Sequence, residues 1–175
     1  MHPTLNGIEQ SQQDKADLIA YAKQPLGFLL LSGKNGTGKS YAAEAIYNAN
    51  TTFRLPDYDW EASYFLNASD LYFYLQDNFG DAAALAERRY RCKNTKLLVL
   101  DDLCSNNLDP KPHFTEFLYT VIEHRWRERN KLGTIITTNV GSEDFQKKLG
   151  DAILSRVCSG KVKRWDFKDR RLNAF

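Results

Sequence analysis

Four short runs of this chain, residues 28–31, 63–66, 97–100 and 134–138, are apolar or β-branched almost throughout. A strand with one wet face alternates apolar and polar positions, so uninterrupted runs of this length read as strands covered on both faces, the mark of a parallel sheet. Between them the apolar residues fall at helical spacing. Residues 8–23 carry Ile8, Leu18, Ile19 and Ala22 and stop before Pro25, and residues 40–48 carry Ala42, Ala43, Ala45 and Ile46. Ser69 or Asp70 is placed to cap a helix through Leu71, Phe73, Tyr74 and Leu75 toward Gly80. Further helices are predicted over 82–92, over 114–128 with Phe117, Leu118, Val121, Ile122 and Trp126, and in two short pieces over 144–149 and 151–157. Residues 49–61, broken by Pro56, read as a loop, and 165–167 as a last short strand. Strands that alternate with helices predict an α/β three-layer sandwich, a central parallel sheet flanked by helices. The length suits one domain: a helical lead-in over residues 1–25, then a nucleotide-binding unit over 26–175.

Composition changes that picture little. The 24 basic and 22 acidic residues leave a formal charge of +2, which neither demands nor excludes a polyanionic partner. Cys92, Cys104 and Cys158 are odd in number and lack metal-ligand spacing, so they are expected reduced and structural. No apolar stretch approaches the ~20 residues of a membrane span, and the N-terminus has no signal-peptide pattern. A cytoplasmic protein without a membrane partner is expected.

The chemistry begins where the first strand ends. Gly33, Lys34, Asn35, Gly36, Thr37, Gly38, Lys39 and Ser40 form a complete G-x-x-x-x-G-K-[ST] phosphate loop, followed by Tyr41 on the opening helix. Glycines let backbone N–H groups face an anion, and the helix points its positive dipole end at the same place. The ligand is expected to be ATP, with Lys39 on the β and γ phosphates and the Ser40 hydroxyl on Mg²⁺. The third strand ends in Asp101-Asp102, at the sheet edge where ligands of parallel sheets bind. Asp101 is expected to hold Mg²⁺ directly or through water, and Asp102 to orient or deprotonate the attacking water. Capping of the next turn is the alternative use of such a pair. Residues 134–138 deliver Asn139 to the same edge, within reach of the γ-phosphate or its water; a turn-forming asparagine is the other reading.

Together with Leu-Gly-Asp-Ala-Ile-Leu-Ser-Arg over 149–156 and Asp-Arg-Arg over 169–171, these motifs resemble the AAA+ domain of DnaC and DnaI helicase loaders, and are similar to IstB transposition ATPases. The resemblance covers residues 26–172. It implies an ATPase of DNA replication that assembles with its ATP site at a subunit interface. Arg156 would be the arginine finger offered to a neighbour, and Arg171 the second sensor, on the γ-phosphate of its own subunit. A trans arginine of that kind adds about 10³ to 10⁵ in rate. A replicative helicase is the partner implied; an IstB-like transposition role, or a nucleotide-dependent adaptor with little hydrolysis, are the alternatives.

Two departures from the family pattern stand out. Asp102 occupies a position where many AAA+ proteins have glutamate, which points to slow hydrolysis. Loaders also carry an additional N-terminal domain that grips the helicase, where this sequence has only the lead-in before its first strand. Tyr72, Phe73 and Phe79 lie near Arg88 and Arg89 in the segment where related proteins place a single-strand-binding insert. Aromatic faces stack on bases and cations neutralise phosphate, so single-stranded DNA is the nucleic acid expected there, although aromatics at helical spacing also serve as core. The basic residues Lys161, Lys163, Arg164, Lys168 and Arg170 are a second candidate for DNA contact.

Overall fold

The computed structural model describes residues 2–50, 62–104 and 110–166. Strands β1 (Gly27–Gly33), β2 (Ser63–Asn67), β3 (Leu97–Asp101), β4 (Gly133–Thr138) and β5 (Lys161–Trp165) form one parallel sheet in the order β2-β3-β4-β1-β5. After β1 the chain crosses to the far edge, returns strand by strand to β4, then passes over β1 to add β5. The carboxyl ends of β3, β4 and β1 are therefore neighbours, which is where an open α/β sheet binds its ligand.

Helices α1 (Gln12–Lys23), α2 (Lys39–Asn50), α3 (Ala68–Asp77), α4 (Ala82–Asn94), α5 (Pro112–Arg127), α6 (Ser142–Leu149) and α7 (Asp151–Val157) cover the two faces. Successive strand side chains point to opposite sides, so the apolar runs feed two cores. Leu29, Leu31, Leu97, Val99 and Ile135 pack with Leu18 and Tyr21 of α1 and Ala42 and Ile46 of α2. Phe28, Leu30, Leu98, Leu100 and Ile136 pack with Leu71, Phe114, Phe117, Val121, Phe145 and Ile153. Burying each such strand residue contributes about 1.5–3 kcal/mol.

Four local expectations shift. The first helix begins at Gln12, because Ser11 accepts the Asp14 N–H as its cap, and the chain before it makes a 3-10 turn over Leu5–Gly7. The cap of α3 is Asn67 rather than Ser69 or Asp70; its side chain accepts the Ser69 N–H, so β2 passes into α3 without a linker. Helix α6 starts at Ser142, two residues early. The last strand is Lys161–Trp165, not 165–167, since its residues are mostly cationic and carry no apolar run. Lys163 on that strand ion-pairs with Asp14 and Asp17 of α1, so it is committed inside the fold. Residues 51–61, Phe167, Lys168, Arg170 and Arg171 lie outside the described residues.

The loop between α5 and β4 is tied down by Arg125, which is fully buried. Its guanidinium donates to Thr134 Oγ1 and to the carbonyls of Cys92, Lys93, Thr95 and Gly133. The end of α4 thus supplies carbonyl dipoles where a counterion would otherwise be needed. Burial pulls its pKa down to about 10, which leaves the cation intact. All three cysteines are free, Cys92 and Cys104 buried and Cys158 exposed. Among the described residues no helix is long and apolar enough to cross a membrane.

Candidate nucleotide site

Gly33 ends β1 and Lys39 begins α2, so the phosphate loop joins a buried strand directly to a helix N-terminus. Gly36 and Gly38 sit at φ 71° and 90°, a left-handed region that a side chain would resist. Lys39 is only 7% exposed, and its Nζ turns back onto Gly33 O at 2.8 Å and Lys34 O at 2.7 Å. Those carbonyls hold the ammonium inside the curve of the loop. Thr37 Oγ1 also donates to Lys34 O, and Gln10 Nε2 donates to Thr37 O, both within 2.9 Å. Ser40 lies exposed in the first turn of α2.

Across the edge, β3 ends at Asp101, which is buried, and the chain turns sharply. Asp102 and Cys104 hold φ of 57° and 66°, strained values for residues that are not glycine. Threonines of β4 clamp this turn. Thr137 Oγ1 donates to Asp101 Oδ1 at 2.7 Å and accepts the Asp102 N–H at 2.8 Å. Leu103 N–H bonds Thr137 O, and Thr138 Oγ1 bonds Leu103 O. Burial raises the pKa of Asp102 above the ordinary carboxylate range, the charge of Asp101 adds to the rise, and Lys39 opposes it.

Asn139 follows β4, and its Nδ2 donates to Asn35 Oδ1 of the phosphate loop at 3.0 Å, while its own Oδ1 is buried without a partner. Loop, acid pair and asparagine thus occupy one edge. The oxygen donors at this edge fit Mg²⁺: among the described residues only Thr137 bonds the Asp101 carboxylate, which leaves its second oxygen open to a cation. Magnesium in nucleotide sites uses one or two carboxylates with phosphate oxygens, and Ser40 and Asp101 are the residues here that would hold it.

A cleft of about 440 Å³ beside the loop was not legible in the sequence. Gly7, Ile8, Glu9 and Gln10 form one wall, Gly36, Gly38 and Tyr41 the other. The only signal for it is Ile8, an apolar residue ahead of the capped helix that is buried against the α1–α2 core. Tyr41 accepts the Thr4 N–H with its hydroxyl, which ties the lead-in to α2.

Two further groups of candidate residues remain, the arginines and the aromatic and basic residues of α3 and α4. Arg156 lies against α5: Nε donates to Glu123, Nη1 to Ala152 O, and the guanidinium stands 5.4 Å from the Tyr119 ring and 5.7 Å from that of Trp126. Glu123 also binds Arg127, and Arg156 leads the influences that hold its carboxyl below the usual range. Arg171 lies outside the described residues. Of the nucleic-acid candidates, Phe73 and Phe79 are exposed, at 58% and 69%. Tyr72 is buried, edge-on to Phe114. Arg88 is half-buried, stacked 3.7 Å from the Tyr74 ring centre and donating to the Tyr64 hydroxyl. Arg89 lies 5.6 Å from the Phe117 ring, with its Nε buried and unpaired. Tyr72, Phe73 and Phe79 nonetheless share one neighbourhood: Tyr72 contacts Phe73 and His113, Phe79 contacts His113, and Phe79 and Arg89 line one cavity with residues of α3 and α5.

A five-stranded parallel sheet with this strand order and a phosphate loop after β1 is the three-layer P-loop fold of AAA+ architecture. No protein-family model matches the chain, and no curated protein matches it in sequence. Solved structures do. The chain is similar to the DnaC helicase loader at 22% identity and TM-score 0.76, covering 94% of this chain and 97% of that one. It is similar to DnaI at 18% identity and TM-score 0.68, covering 96% and 90%. A third likeness is to the replication initiator DnaA bound to AMPPCP and single-stranded DNA, at 16% identity and TM-score 0.77, over 95% of this chain and 50% of that one. The chain therefore spans nearly all of the DnaC structure and about half of DnaA, and it shares the AAA+ fold of both.

Proposed function

We propose that this chain is a Mg²⁺-dependent ATPase of DNA replication, of the helicase-loader type, that binds single-stranded DNA and completes its active site by self-assembly. The observation that carries this reading is the meeting of Lys39, Asp101, Asp102 and Asn139 on one sheet edge, beside a base-sized cleft. ATP would place its phosphates on the loop amides, where they replace the carbonyls that now hold Lys39. Ser40 and Asp101 would hold Mg²⁺, which when bound neutralises phosphate charge. Asp102 takes the proton from the attacking water, and its raised pKa makes it a stronger base than an ordinary aspartate. Asn139 orients the same water or the γ-phosphate. Phe73 and Phe79 offer exposed rings on which bases stack. The likeness to a loader and to an initiator bound to single-stranded DNA supports the setting, with a replicative helicase as partner.

The test is fluorescent-nucleotide binding and phosphate release, with and without an oligothymidine strand. Lys39→Ala is expected to lose tight ATP binding, whereas Asp102→Asn keeps the nucleotide and loses turnover. Equal loss of affinity in both variants overturns the assignments.

A second reading, a nucleotide switch with little hydrolysis, is favoured by the bond that holds Arg156 to Glu123 of its own subunit. Mixing separates the two. If Arg156 serves a neighbour, Arg156→Ala and Lys39→Ala proteins, each inactive alone, restore hydrolysis together. No rescue in a sample shown to assemble selects the switch.

A further inference from the structure

Between the two halves of the site stands a residue to which the phosphate-loop and acid motifs give no role. Thr137 is 1% exposed on β4, and its single hydroxyl serves two residues of another strand. The proton goes to Asp101 Oδ1, and a lone pair takes the Asp102 N–H. Its carbonyl takes the Leu103 N–H as well. Three consecutive residues of the acid turn are thus referenced to one threonine, at the point where Asp102 is forced to positive φ. A strained turn persists only where its surroundings over-determine it. Valine has the same shape but cannot donate or accept, so shape alone does not select threonine here.

We infer that Thr137 is the positioning residue of the acid pair: its hydroxyl fixes the direction of the Asp101 carboxylate toward the cation of a bound nucleotide and locks the turn that presents Asp102. The inference rests on the reading that Asp101 serves that cation. Because the hydroxyl donates its proton to Oδ1, the carboxylate is held as an acceptor, with Oδ2 left for coordination; among the described residues nothing else bonds it. Partners of this kind, one shell out from a metal, set ligand direction, and their loss costs about 10-fold or more in metal affinity.

Nucleotide affinity measured in Mg²⁺ and again in EDTA tests this without reference to turnover. In Thr137→Val, binding in Mg²⁺ should weaken about 10-fold while binding in EDTA stays within about two-fold of the parent, and Thr137→Ser should restore the Mg²⁺ advantage. Should the valine protein not fold, Thr137→Ala carries the comparison, because the vacated space admits a water to the same two groups; it should show the same loss at smaller size. Equal weakening in Mg²⁺ and EDTA would mean that Thr137 only supports the fold and would overturn the inference, as would an unchanged Mg²⁺ advantage in the valine protein. A parent protein that binds nucleotide equally with and without Mg²⁺ would instead remove the reading of Asp101 on which the inference stands.

Discussion

Lys39 and Arg125 are both cations taken out of water, and they are held in opposite ways. Lys39 rests on two carbonyls of its own loop, at the open edge of the sheet. Arg125 lies at the other end of the strands, where oxygens from α4, its following turn and β4 meet it from several directions. An isolated buried charge is costly, and each arrangement offsets that cost with neutral dipoles. The difference lies in what else could take the place. Phosphate oxygens can replace loop carbonyls around Lys39, whereas nothing can enter around Arg125 without parting α4 from the sheet. Burial of a charge therefore does not distinguish function from structure; exchangeability of its partners does.

That contrast breaks most readily at Arg125. Arg125→Met strands the carbonyls of Cys92, Lys93, Thr95 and Gly133 and should cost about 3–5 kcal/mol of unfolding free energy in urea titration. Lys39→Ala should cost about 1 kcal/mol or less in the same measurement, despite its loss of ATP. Comparable losses would erase the distinction.

Asp102 sharpens it from the other side. Its folded pKa is raised, so its contribution to stability is present below the unfolded pKa and is lost as pH rises through the folded value. At neutral pH the ionised side chain is therefore a liability. Asp102→Asn removes it, and asparagine tolerates the positive φ, so thermal melting at pH 7 should show a gain of about 0.5 kcal/mol, kept small because the carboxylate still reaches water. The gain should shrink as pH falls through the carboxylate range. A destabilised Asp102→Asn protein would mean that the acid pair holds the fold together. The smallest effect belongs to Lys163, whose ion pairs with Asp14 and Asp17 remain partly open to solvent. Lys163→Ala should lower the melting temperature slightly at low salt, and the difference should vanish in high salt, where such pairs are screened.

Legibility followed the same division. Apolar runs disclosed β1, β3 and β4 because strands buried on two faces need no other signal, and the loop motif disclosed its own turn because the glycines have no alternative use. The fifth strand escaped because Lys161, Lys163 and Arg164 conceal its alternation, one cation paired to α1 and another facing water. The cleft walled by Gly7 to Gln10 escaped because its wall is an irregular segment, for which no periodicity exists. The burial of Tyr72 and the stacking of Arg88 on Tyr74 were not legible, because helical spacing says which residues share a face, not whether that face is covered.

Asn67 ends β2 in register with Asp101 on β3, and its side chain opens α3. Mechanically this is a lever with a short arm and no slack. Phe73 stands six residues beyond Asn67, about 9 Å by helical rise, so one helix segment and one strand pairing separate that exposed ring from the Asp101 carboxylate. Any shift of α3 against the sheet is thus shared by Asn67, the residue paired beside Asp101.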